Sequence, residues 1–344
     1  MQCTMRGLGE IVSLPSLPDR FWVYLGLLIR LEVRPVISED RVQTTNNQES
    51  QSMLEIWWLA ARPKTLPAAA APVIVGTAVA LFERQMRLFP ALAALLAALL
   101  LQIGANFAND VFDFHKGADT RERLGPVRVT QAGLLTPRQV TIGMWVVFAL
   151  AAVLGIYMTL VSGWPVIAIG LASILAAIAY TWGPLPFGYH GLGELFVFIF
   201  FGLAAVAGTF YVQAVHVSPL AWWAALPMGF LSSAILVVNN LRDIDTDRAA
   251  GKQTLAVLLG PDNTRVEYTL LLIAAYAMPL AIWLLRLAPA WVFLSWFSLP
   301  LAFNLVGVIY REKGRPLNRA LAGTGRLELV FGILLSLGLL ISRL

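Results

Sequence analysis

Two short stretches of the chain carry carboxylates and carboxamides at helical spacing. In NFANDVFDFHKGADT, Asn106, Asn109, Asp110 and Asp113 fall at offsets of 0, 3, 4 and 7. In VVNNLRDIDTDRAAGKQT, Asn239, Asp243 and Asp247 recur every four residues. On a helix either set forms a single face. Carboxylates crowded on one face repel each other unless a cation neutralises them. Clustered oxygen ligands call for a hard cation. Mg²⁺ fits best, because it takes one or two carboxylates and completes its shell with water and phosphate oxygens. Lys116, Arg128, Arg248 and Lys252 lie close by in sequence. They suit an anion carried by the metal, and diphosphate is the natural candidate. One such cluster alone reads equally well as helix caps and solvated charge. Two of them, each with Asn three or four residues before an Asp and Lys or Arg after it, read as a site.

The elements that must position these residues are membrane helices. Of 344 residues, 58% are hydrophobic and 13% charged, with a mean hydropathy of +0.72. So little charge cannot cover a soluble fold, and the composition is equally far from that of a disordered chain. Lys and Arg outnumber Asp and Glu, 25 to 20. The basic residues sit between apolar runs, so the reading is a lipid bilayer partner and no nucleic acid. Cys3 is the only cysteine, which excludes a disulfide framework and a Cys-based metal site. His115, His190 and His216 are too far apart in sequence for zinc-site spacing.

Charge-free runs long enough to span fall at 66–82, 89–108, 140–160, 164–182, 195–215, 220–238, 269–285 and 287–309, with a shorter one at 329–342. The expectation is therefore nine transmembrane helices, all-α, over residues 53–344. Residues 1–52 read as a disordered N-terminal extension in which FWVYLGLLI is too short to span, and Met53 is an alternative start. Four crossings separate the two long polar connections, so 109–139 and 239–268 belong on one side. Loops on that side hold fourteen Lys and Arg, among them Lys116, Arg121, Arg123 and Arg128; the opposite loops hold only Arg84, Arg87 and Arg286. The positive-inside rule then puts the acidic stripes at the cytoplasmic face of a multi-pass protein of the cytoplasmic membrane.

With those residues in view, the sequence resembles the UbiA superfamily of intramembrane prenyltransferases over about residues 54–344. NDVFDFHKGAD, Asn109 to Asp119, is similar to that family's first aspartate-rich motif, and DIDTD, Asp243 to Asp247, to its second. AARPKTLPAAAAPVIVG, RLGPVRVTQAGLLTP and AYTWGPLPFGYHGLGELFVF are most similar to the branch acting on 1,4-dihydroxy-2-naphthoate in the menaquinone pathway. Asp119 stands six residues after Asp113, a spacing similar to that branch but longer than the general pattern, which leaves a direct metal role for Asp119 open.

The resemblance implies a fold of nine helices around a central cavity with a polar cytoplasmic cap. It also implies transfer of a polyprenyl chain from polyprenyl diphosphate to an aromatic acceptor, here 1,4-dihydroxy-2-naphthoate, with loss of CO₂ to give demethylmenaquinone. On this reading Asp110, Asp113, Asp243 and Asp247 are the Mg²⁺ ligands and Asn106, Asn109 and Asn239 support them. Arg62, Lys64, Lys116, Arg128, Arg248 and Lys252 are diphosphate contacts. Glu194, at the start of the fifth span, either orients or deprotonates the acceptor or caps its own helix. Other acceptors of the superfamily, 4-hydroxybenzoate, homogentisate or haem, form the alternative. A secondary transporter fits less well, because its acidic site belongs near the bilayer midplane rather than at span ends.

Overall fold

The computed structural model describes residues 52–117 and 124–343. Asp119, Arg121, Arg123 and all of the N-terminal extension except Ser52 lie outside the described residues. The described residues are helical, with no strand among them. The helices are α1 (Met53–Ala61), α2 (Leu66–Phe82), α3 (Leu88–His115), α4 (Pro137–Ser162), α5 (Pro165–Ala179), α6 (Gly193–Ala214), α7 (Pro219–Ala249), α8 (Leu255–Leu284), α9 (Ala290–Arg311) and α10 (Leu317–Ile341). By length and composition, eight described segments can cross a membrane, α1 and α2 counting as one. The protein is an all-α, multi-pass integral membrane protein. The fourth expected span, 164–182, is α5, a helix of 15 residues, about 22 Å long against about 30 Å of hydrocarbon.

Local sequence sets the helix starts. Ser52 with Glu55 and Thr136 with Gln139 form capping boxes, and Ser218 and Thr254 accept from the third residue of α7 and α8. Several helices outrun the charge-free windows. α3 continues to His115 and α7 to Ala249; at 28 and 31 residues they are about 42 and 46 Å long. That excess length carries both acidic stripes past the hydrocarbon. α8 starts at Leu255, breaks at Gly260 (φ 79°) and runs on through Arg265, which donates to the Ile309 carbonyl and to Asp262, and through Glu267. α10 begins at Leu317, since Glu328, fully buried, accepts from Ser232 Oγ at 2.6 Å.

Among the described residues, buried hydrophobic side chains form three clusters, two of which adjoin the polar helix ends and a third of which joins helices α2 to α6 around Val73, Ala94, Met158 and Val166. α2, α6, α7, α8, α9 and α10 share the largest core, with α7 at its centre. α1, α3 and α4 form a second core around Phe107, Val111, Met144 and Phe148. Gly202 in a π-helical stretch of α6 faces Gly229 of α7 so closely that a Cβ on Gly202 would meet the Gly229 backbone. This close crossing sets the start of α6 against the polar end of α7.

Candidate functional site

The site begins at a break. Pro63 lacks an amide hydrogen and disfavours helical geometry at the residue before it, so α1 stops at Arg62, which takes a left-handed conformation with φ 53°. The carbonyls freed there need donors. Asn106 Nδ2, on α3, donates to the Ala61 carbonyl at 2.9 Å and to Thr65 Oγ1 at 3.0 Å, and Gln102 Nε2 donates to the same hydroxyl at 3.0 Å. Thr65 in turn donates to the Arg62 carbonyl. This clamp holds Arg62 Nη2 4.0 Å from Asp110 Oδ2. Lys64 is exposed beside the break.

Asp110 organises the segment that follows α3. Its two oxygens accept from the Val129 and Thr130 amides, each at 3.1 Å. The adjacent Arg128 is thereby buried with Nη2 2.9 Å from Asp113 Oδ2. Asp113 Oδ1 accepts from the Tyr189 hydroxyl at 2.8 Å and lies 3.6 Å from Lys252 Nζ. The same ammonium is 3.7 Å from Asp247 Oδ1 of α7. Lys116 and Lys252 both stand over the Tyr189 ring, 4.5 and 4.7 Å from its centroid. Lost hydration lowers the Lys116 ammonium from its ordinary value; Asp113 opposes this and Lys252 adds to it.

The second stripe is tied to an arginine. Arg242, 2% exposed, donates through Nε to Asp243 Oδ1 at 2.8 Å and through Nη2 to Asp243 Oδ2 and Asn239 Oδ1. Its Nη1 reaches Asn318, which donates to the Leu124 carbonyl. Glu194 is buried at the start of α6, where Oε1 accepts from Asn240 Nδ2 at 2.8 Å. Asn109 accepts from Thr181 at 2.9 Å. Tyr180 lies within electrostatic reach of Glu194, Asp113, Asp247 and Arg128.

The structure thus brings Asp113, Lys116, Arg128, Asp247 and Lys252 into one cluster, with Asp110 and Arg62 against it. It does not bring Arg248 there. That side chain is 58% exposed and pairs at 3.9 Å with Asp245, itself 90% exposed, so it belongs to a solvated face. Gln102, Tyr180, Tyr189, Asn240 and Arg242 are parts of the site that sequence spacing did not single out. Arg242 carried a signal in its place beside Asp243 and three residues after Asn239. Tyr189 carried none, because a loop residue has no periodicity.

Among the described residues, no group of three or more His, Cys, Asp or Glu is close enough to hold a metal ion. Asp113 and Asp247, however, direct one oxygen each at a single cation from two different helices. Two carboxylates backed by cationic groups fit Mg²⁺, which leaves the remaining positions to water and to phosphate oxygens.

Residues 69–340 match the model of the UbiA prenyltransferase family. The chain belongs to that family. It is the family that the motifs from Asn109 to Asp119 and from Asp243 to Asp247 resemble. Similar UbiA relatives include the 1,4-dihydroxy-2-naphthoate octaprenyltransferase of Mycobacterium tuberculosis, 42% identical over 80% of this chain and 94% of the relative. The enzyme of the same name from Escherichia coli is 37% identical over 84% and 98%. Among solved structures, a UbiA homologue from Aeropyrum pernix superposes with a TM-score of 0.63 at 18% identity, covering 82% of this chain and 99% of its own. One from Archaeoglobus fulgidus bound to GPP and Mg²⁺ gives 0.59 at 14% identity, covering 81% and 99%.

Proposed function

We propose that this chain transfers a polyprenyl group from an allylic diphosphate to 1,4-dihydroxy-2-naphthoate in the menaquinone pathway. The observation that carries the reading is near-full-length identity to relatives named for that reaction, 42% over 94% of one of them. The site supports it with carboxylates for a divalent cation, and with cations for a diphosphate within a few ångströms of them.

Asp113 and Asp247 would hold Mg²⁺, with Asp110 and Asp243 acting through the groups they orient, the 128–130 segment and Arg242. Bound there, the ion supplies Lewis-acid neutralisation of the charge that develops on the leaving diphosphate. Lys116, Lys252, Arg128 and Arg62 pair with diphosphate oxygens, and Lys64 flanks the entrance. Asn109 and Asn239 fix Thr181 and Arg242, and Asn106 fixes the α1–α2 break. As the allylic C–O bond breaks, its electron pair leaves with diphosphate, and the ring carbon bearing the carboxylate forms the new C–C bond. The ring–carboxylate pair then returns to the ring as CO₂ departs, giving the quinol form of demethylmenaquinone. No ring proton has to be removed. Glu194 therefore serves at an acceptor hydroxyl, drawing on its proton so that the ring becomes more nucleophilic. The cluster faces the cytoplasm of the inner membrane, the side of the basic loops.

The test supplies membranes containing the protein with a polyprenyl diphosphate and carboxyl-labelled dihydroxynaphthoate, with 4-hydroxybenzoate and homogentisate in parallel. One CO₂ per prenylated naphthoquinol, abolished by a chelator and restored by Mg²⁺, is the expected result. Prenylation of either other acceptor in place of dihydroxynaphthoate overturns the acceptor assignment, and turnover that survives chelation overturns the metal.

A further inference from the structure

We propose that Tyr189 is a positioning residue that assembles the two lysines of the diphosphate subsite, an inference that rests on the diphosphate reading above. The side chain joins three elements. Its hydroxyl donates to Asp113 Oδ1 on α3 at 2.8 Å, and its carbonyl accepts from the Gln253 amide, just before α8, at 2.9 Å. Its ring lies under Lys116 Nζ at 4.5 Å and Lys252 Nζ at 4.7 Å. Lys116 ends α3 and Lys252 follows α7, so the two ammonium groups come from separate parts of the bundle. Like charges from two helices do not gather unaided. The electron-rich ring attracts both, and Asp113 and Asp247 offset the charge of Lys252.

Two ammonium groups held on one ring favour an anion that spreads several charges over oxygens reaching both of them. Diphosphate does so. The hydroxyl and the ring have separable duties, since the hydroxyl orients Asp113 while the ring fixes the lysine pair. Tyr189→Phe deletes the first and keeps the second; Tyr189→Leu deletes both.

The experiment measures binding of inorganic pyrophosphate to the full-length protein in nanodiscs by calorimetry, with EDTA present and for the parent also with Mg²⁺, beside the KM for polyprenyl diphosphate. Tyr189→Leu is expected to bind pyrophosphate about tenfold more weakly and to show a raised KM. Tyr189→Phe is expected to restore the affinity to within about twofold of the parent while kcat stays depressed. A Leu variant that binds as tightly as the parent overturns the role of Tyr189 alone. A parent that binds pyrophosphate with Mg²⁺ but not with EDTA overturns this inference alone, since the two lysines then do not hold the anion; no binding under either condition overturns the diphosphate reading as well. Should the Leu variant not be recovered monodisperse, Tyr189→Phe decides: parental affinity supports the ring's role, and a loss of about tenfold overturns it.

Discussion

Asp113 and Asp247, carried by different helices, direct their Oδ1 oxygens at one ammonium, Lys252 Nζ, at 3.6 and 3.7 Å. The ends of α3 and α7 therefore share one side of the membrane. Asp247 is the better member of the pair to test, because its contact with Lys252 exceeds hydrogen-bond length, whereas Asp113 also accepts from Arg128 and Tyr189. Asp247→Asn should lower prenyl transfer by about 10²-fold or more. Its thermal midpoint should stay within about 3 °C of the parent. Near-parental turnover would remove Asp247 from the site.

Asp243 differs, because its partner is buried. Asp243→Ala leaves the Arg242 guanidinium with only Asn239 and Asn318, a loss of about 3–5 kcal/mol for a broken buried pair. Thermal unfolding of purified protein should show a large fall in midpoint. Replacing both groups, as Arg242→Met with Asp243→Leu, should recover much of it. A double variant no more stable than Asp243→Ala would mean that the pair is not what the single change disturbs.

Thr65 is the shared partner of Gln102 and Asn106 at the α1–α2 break. Thr65→Val strips the acceptor from Gln102, leaves Asn106 the Ala61 carbonyl alone, and loosens the loop that aims Arg62 at Asp110. The KM for polyprenyl diphosphate should rise about tenfold, equivalent to one hydrogen bond to a charged group, with kcat little changed. Thr65→Ser should restore it. An unchanged KM in the valine variant would detach Arg62 from the substrate.

Much of this was legible in advance because hydrocarbon enforces simple rules. Runs of about 20 apolar residues, parity and basic loops sufficed to place Asp113 and Asp247 at helix ends on one side. The helix starts of α8 and α10 were not legible. A charge-free window stops at Glu267 and Glu328, although both helices extend N-terminally past them, Glu328 accepting from Ser232 inside the fold. Asn106 and Asp110 lie on the expected face, yet Asn106 donates to the Ala61 carbonyl and the Thr65 hydroxyl, holding the α1–α2 break, and Asp110 accepts from the 129 and 130 amides. Spacing reveals a shared face and says nothing about which partner answers it. Tyr189 and Asn240 were invisible for the same reason, since their partners are distant in sequence.

Sidedness gives a separate prediction. Gln85 lies in the connection at the far end of α3, and Arg138 opens α4 on the cluster's side. With Cys3 replaced by Ser, Arg138→Cys should react with an impermeant maleimide only in inverted vesicles, and Gln85→Cys only in intact cells. The reverse pattern would place the site outside the cytoplasm.

Glu194 offers the sharpest separation of structure from chemistry. Asn240 donates to Oε1, so Glu194→Gln keeps a carbonyl oxygen for that bond and exchanges only the second oxygen for an amide. Because CO₂ loss returns the electron pair to the ring, the variant should still release one CO₂ per product. It should do so with kcat lowered about 10²-fold, the usual yield of a general base, while the KM for polyprenyl diphosphate is unchanged. Steady-state kinetics with labelled carboxylate reads both quantities. If kcat is unaffected, the acceptor hydroxyl does not depend on this carboxylate. A fall confined to thermal stability would assign the Glu194 carboxylate to holding α6 against α7 through Asn240.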